Sequence, residues 1–164
     1  MLGGSAAGFR SLCPVSVALD ILGDRWSLLV VRDLMVRGYR TFKEFHESGE
    51  GIATNVLADR LRKLQSAGII ESEQIETDRR GVAYRLTAKG IDLAPVLLEL
   101  LLWGARHEKT LAPAALIADM AKNREALLEE VRRRWLQRDP NPLIPRFEPT
   151  PKTRAAGKNK RERT

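Results

Sequence analysis

Between Gly51 and Gly68 the chain sets Asn55, Asp59, Arg62 and Ser66 at the spacing of one helical face and Leu57, Leu61 and Leu64 on the opposite one. An amide, a carboxylate, a guanidinium and a hydroxyl in one row make an outward surface of hydrogen-bond donors and acceptors, while the leucines fix it to a core. The second chemically notable group is Cys13, the single cysteine of the chain. It stands directly before Pro14, which suits a first helical position, so unpaired amides and the positive helix end favour a thiolate. A lone cysteine is also often an inert small hydrophobe, and both readings stay open. No nucleophile paired with a base and no phosphate loop occurs, and His46 and His107 offer no metal-ligand spacing. An enzyme is therefore not expected, and neither is a cofactor or metal.

The elements that must position these groups belong to one domain with extensions. The chain has 164 residues, 43% apolar and 30% charged, which is ordinary for a soluble globular protein. Its net charge of +7 is uneven: from Thr150 onward six Lys or Arg stand against one Glu. The basic character is therefore largely a property of the tail and says little about nucleic acid until a folded motif supports it. One cysteine excludes an internal disulfide framework and a Cys-rich zinc site, and it fits a reducing cytoplasm. Residues 1–12 read as a flexible terminus rather than a targeting signal. The most apolar run, Val96 to Trp103, is far short of the ~20 residues that span a bilayer, so no membrane partner is expected.

In order, Pro14 to Leu22 reads as a short helix ended by Gly23, and Asp24 can cap a second helix that Gly38 stops. Thr41-Phe-Lys-Glu44 is a capping box for a brief third helix closed by Gly49. A turn at Ser48 to Gly51 leads into the Ile52 to Ala67 helix, which makes a helix-turn-helix candidate. The period then changes. Ile69 to Glu76 reads as a strand, Val82, Tyr84 and Leu86 alternate with Ala83 and Arg85, and Thr77-Asp-Arg-Arg-Gly81 supplies a turn with a basic tip. Thr87 can cap a helix from Ala88 to about His107. Over Val96 to Trp103 that helix is apolar nearly all round, interrupted only by Glu99, and must be buried on more than one side. One side is expected to meet the domain, the other a second subunit through Val96, Leu97, Leu98, Leu101, Leu102 and Trp103. Pro113 to Lys122 gives a modest helix, and Asn123 can cap a clearer one through Trp135 that packs by its Leu and Trp residues.

The expected fold is mainly α with a small β-hairpin, in the winged helix-turn-helix arrangement. Cys13-Pro14, Gly23-Asp-Arg-Trp-Ser-Leu-Leu-Val30, Phe42-Lys-Glu-Phe45, Leu57-Ala-Asp-Arg-Leu-Arg-Lys-Leu64, Ala67-Gly-Ile-Ile70, Tyr84-Arg-Leu-Thr-Ala-Lys-Gly90 and Trp103 together resemble the signature blocks of the HxlR-type winged-helix regulators, relatives of the MarR family. The resemblance covers roughly Cys13 to His107. Helical pattern and composition outside it complete the division of the chain into a flexible 1–12, a winged-helix domain with its dimerisation helix over 13–110, a helical extension over 111–138, and a disordered Pro-rich, basic tail over 139–164.

The resemblance implies a homodimeric transcriptional regulator, most often a repressor, that binds double-stranded operator DNA. In that reading the N-terminal half of the central helix enters the major groove and offers Thr54, Asn55, Ala58, Asp59 and Arg62 to bases and phosphates. Asn can pair with adenine and Arg with guanine, while Asp can accept from cytosine or repel phosphate. Arg79 and Arg80 at the hairpin tip would meet the backbone or minor groove. Arg40, Thr41 and Lys43 stand where the family places a backbone contact, although Thr41 replaces the usual basic residue. Several family members sense oxidants or electrophiles through a cysteine placed like Cys13, which makes an oxidant or other small molecule the candidate effector. The rival of another class is a winged helix used as a protein-interaction module without sequence-specific DNA binding.

Overall fold

The computed structural model describes residues 12–75, 81–144 and 146–147. Its first helices are α1 (Pro14–Leu22) and α2 (Arg25–Arg32). Asp24 caps α2 by accepting from the Ser27 backbone N–H at 2.9 Å and from Ser27 Oγ at 2.7 Å. The helix then widens into a π turn, Asp33–Arg37, which ends at Gly38 with φ +72°. Glycine is required there twice over, because a Cβ would also come within 2.4 Å of the Pro140 carbonyl oxygen. Next come α3 (Phe42–His46), opened by the Thr41–Glu44 capping box, and α4 (Thr54–Ser66), which gives way to Gly68 at φ +68°.

The hairpin pairs β1 (Ile70–Gln74) with β2 (Val82–Leu86) antiparallel, in a register that sets Ile70 opposite Leu86 and Ser72 opposite Tyr84. On its other side β2 meets the segment before α3 through a Thr41–Ala83 bridge and a 2.7 Å bond from Tyr84 N–H to the Arg40 carbonyl. The core lies under α4. Leu57, Leu61 and Leu64 are buried with Val31, Phe45, Ile69 and Leu86, each contributing roughly 1.5–3 kcal/mol by leaving water. The mainly α architecture with one hairpin is the one expected.

The helix expected from Ala88 to His107 is two helices, α5 (Ala88–Ile91) and α6 (Ala94–His107). Pro95 has no N–H to continue the first one and instead occupies the opening turn of the second. Beyond α6 lie α7 (Ala114–Lys122) and α8 (Arg124–Gln137). Asn123 does not cap α8 with its side chain, which donates to Asp119 Oδ1 instead. Here α6 and α7 form a second, smaller core of Leu98, Leu102 and Met120.

The extension is fastened to the domain. Val131 of α8 is buried in the main core, and Trp135 Nε1 donates to the Leu86 carbonyl at 2.8 Å. The segment after α8, expected to lack order from Asp139, holds contacts: Leu143 and Ile144 N–H both donate to the Val36 carbonyl, at 2.8 and 3.0 Å. A backbone carbonyl left open by the π turn is thereby satisfied. Among the described residues no helix is long and apolar enough to cross a membrane, and no cluster suited to a metal occurs.

Candidate nucleic-acid interface

The outward face of α4 is built as its periodicity requires. Thr54, Asn55, Asp59, Arg62 and Ser66 are exposed and Ala58 is half-buried, while the leucine face is closed. Nothing caps the N-terminus of α4 with a side chain, so its first amides stay open to an incoming anion. The Arg62 side chain is 75% exposed, with Nη2 3.5 Å from Asp59 Oδ1. At that exposure such a pair is worth little, about 0–1 kcal/mol, and can be exchanged for a partner on another molecule. Arg60 and Lys63, on the flank, face inward instead. They stand 3.3 and 3.9 Å from Asp24, and this tethers the start of α2 to α4. Burial raises the Asp24 carboxyl, but the Ser27 hydrogen bonds and these two cations outweigh it and hold it below the usual carboxylate range.

The residues ahead of α3 divide between two tasks. Lys43 is exposed on α3 and open to a phosphate. Thr41 is spent on the capping box, accepting from Glu44 N–H and donating to Glu44 Oε2. Arg40 turns toward the extension, its Nη2 3.3 Å from the Arg138 carbonyl and 3.5 Å from that of Asp139. Arg79 and Arg80 lie outside the described residues.

Around the π turn is an ionic cluster that sequence reasoning missed, although Asp33 and Arg37 stand at the i, i+4 spacing that signals it. Asp33 Oδ1 accepts from Arg32 Nε and Nη2 at 2.9 and 2.7 Å, and Arg32 Nη1 donates to Glu50 at 2.9 Å. Burial pushes the Asp33 carboxyl above the usual range despite these cations, and it pushes the Arg37 guanidinium down.

The six apolar residues expected at a subunit interface separate into two groups. Leu98 and Leu102 are buried against α7 within the same chain, with Leu97 and Leu101 partly covered. Val96 and Trp103 are exposed, as is their neighbour Leu100. On α1, which buries no residue fully, Val15 and Leu19 are exposed, with Leu12 just ahead of the helix. Cys13 is exposed at the N-terminal end of α1, and the Ser16 and Val15 backbone lowers its thiol below the ordinary range.

Comparison with known proteins bears on this arrangement. The family model described as HxlR-like helix-turn-helix matches residues 21–111. A Synechocystis protein named as an uncharacterized HTH-type transcriptional regulator, sll1512, is 36% identical over 87 residues, which are 53% of this chain and 64% of that one. The crystal structure of PA1607 is 40% identical with a TM-score of 0.57, covering 64% of this chain and 70% of that chain. The redox regulator HypR in its oxidized form is 31% identical with a TM-score of 0.54, covering 60% of this chain and all of that one.

Proposed function

Because the chain belongs to the HxlR-like helix-turn-helix family, and is thus a transcriptional regulator of that type, we propose that it works as a cytoplasmic homodimer that represses transcription by placing α4 in the major groove of an operator. The observation that carries this reading is the outward face of α4. Its polar residues are exposed along the whole helix while its leucines are locked in the core. A rigid helix presenting Asn55 and Arg62 can discriminate bases because the side chains start from fixed positions. Lys43 supplies a phosphate contact, and Arg79 and Arg80 of the hairpin tip contact the backbone or minor groove. The exposed apolar residues of α1 and α6 supply the surface for a second copy.

The rival reading, a protein-interaction module, draws on Asp59, whose carboxylate shares the face with Arg62 and repels phosphate. Binding isotherms on duplexes from the region upstream of the gene, against scrambled duplexes, separate the two. Arg62→Ala should cost about 1–3 kcal/mol on the specific duplex and little on the scrambled one. Deleting residues 151–164 should weaken both alike and flatten the salt dependence by about 0.9 in log–log slope for each phosphate that the tail no longer neutralises. An equal effect of Arg62→Ala on both duplexes would remove the specific-readout reading.

Cys13 is the proposed point of control by oxidants or electrophiles. Its exposure and lowered thiol favour the reactive thiolate, and one neighbour in structure is named a redox regulator. Two Cys13 thiols of a dimer can give up two protons and two electrons to an oxidant and form one intersubunit disulfide; a quinone would alkylate the same sulfur. Either treatment should weaken DNA binding in the wild type and leave Cys13→Ser unaffected.

A further inference from the structure

The DNA reading leaves one large feature without a task. Between α2 with its π turn, α6, the segment ahead of α7, and α8 with the residues that follow it lies an open cavity of about 410 Å³, within the ~300–1,000 Å³ typical of small-molecule sites. Part of its wall belongs to the family-matched segment and part, Leu127, Leu128 and Ile144, to the extension beyond it. Hydrocarbon dominates the lining, and among the described residues the charged exceptions are Arg32 and Arg37.

Those two arginines are unequally satisfied. Arg32 donates to both Asp33 and Glu50. Arg37 Nη1 is buried without a hydrogen bond, its nearest acid being Asp33 Oδ1 at 3.3 Å, an oxygen that already accepts twice from Arg32. With Arg25 also on Glu50, three guanidinium groups share two carboxylates. A buried donor without an acceptor, on an arginine that lines an apolar hollow, is complementary to an apolar body that ends in a single anion. A purely apolar occupant, including the hydrophobic face of a second copy, would leave the Arg37 donor unmet.

We propose that this cavity binds a small amphipathic monoanion, an aromatic or medium-chain carboxylic acid, whose body lies along Leu97, Leu101 and Gly104 of α6 and whose carboxylate accepts from Arg37. The site stands apart from the DNA reading, since binding is measured without DNA. Gly104 provides a clean probe. It follows Leu97 and Leu101 on the same helical stripe, it lines the cavity, and a Cβ added there meets no atom within 4 Å.

The test is calorimetric titration of the full chain with 2-naphthoate, with decanoate, and with the neutral 2-naphthamide, alongside size-exclusion chromatography. At least one acid should bind saturably, one per chain, and 2-naphthoate about tenfold or more tighter than the amide, as a charge-assisted hydrogen bond supplies. Arg37→Gln should abolish that preference. Gly104→Leu should block acid and amide together without lowering the thermal midpoint, which keeps the test decisive if Arg37→Gln fails to fold. The proposal is overturned by an absence of saturable acid binding at millimolar concentration, by equal affinity for acid and amide, or by wild-type binding in Gly104→Leu. It is equally overturned if Gly104→Leu converts a dimer to a monomer, because a second copy would then occupy the hollow.

Discussion

Helices α4 and α6 are nearly equal in length and both carry leucines at helical spacing, yet they are used in opposite ways. In α4 the leucines form one stripe, the core closes over it completely, and the opposite face of Asn55, Asp59, Arg62 and Ser66 is left polar and exposed. In α6 apolar residues cover most of the circumference. One side packs on α7 through Leu98 and Leu102, Leu97, Leu101 and Gly104 border the cavity together with the exposed Leu100 at its rim, and Val96 and Trp103 face outward. A single apolar stripe has one solution, burial against its own domain. A helix apolar on all sides needs several coverings, and its sequence does not say which neighbour supplies each.

The strongest way to break this contrast is at the α4 stripe. Leu61→Ala should destabilise the chain by about 2–5 kcal/mol, because the residue is buried at the centre of the main core; urea unfolding followed by circular dichroism measures it. A cost below that of an exposed leucine such as Leu100→Ala would show that the α4 stripe is not the anchor. Trp135→Phe probes the extension that covers α6. It removes the bond to the Leu86 carbonyl and should cost about 1–2 kcal/mol in the same measurement.

Asp24→Ala, which removes the α2 cap and the tether to Arg60 of α4, should cost about 1 kcal/mol near neutrality. The pH dependence has a definite sign. Because the folded Asp24 carboxyl sits below its ordinary value, its stabilisation is complete above the usual carboxylate range and is lost as pH falls through the lowered value. The variant's stability should therefore fall less steeply in acid than the wild type's. Asp33, raised by burial, has the opposite sign and becomes less costly to bury as it protonates.

The smallest effect on folding is expected on the outward side of α6. Val96→Glu with Trp103→Glu should change the intrinsic stability of the single chain by no more than about 0.5 kcal/mol, while analytical ultracentrifugation should show dimer converted to monomer. A wild type that is monomeric at micromolar concentration would remove the dimer proposal. Leu98→Glu would not be a fair test, because its side chain is packed against α7 and the substitution would disturb the fold itself.

Local features were legible from residues alone where a single stretch contains both the cause and its effect. The α4 stripe, the Thr41–Glu44 capping box, the Asp24 cap and the strand alternation around Tyr84 all depend on side chains a few positions apart. The break at Asp92 and Leu93 was equally local, written in Pro95, but the apolar pattern running through it concealed the interruption. What tertiary structure decided are pairings across long separations, for which the sequence carries no distance information: Trp135 with Leu86, Arg40 with the end of α8, Val36 with Leu143 and Ile144. Arg40 shows the consequence, since a basic residue next to a helix-turn-helix suits a phosphate until a carbonyl about a hundred residues later takes its guanidinium. The sequence by itself determined which faces are apolar and where most helices start, because backbone sterics and side-chain period act over one or two turns. Which apolar face meets which, and the hollow left between α6 and the extension, depended on how whole elements of differing shape close against one another.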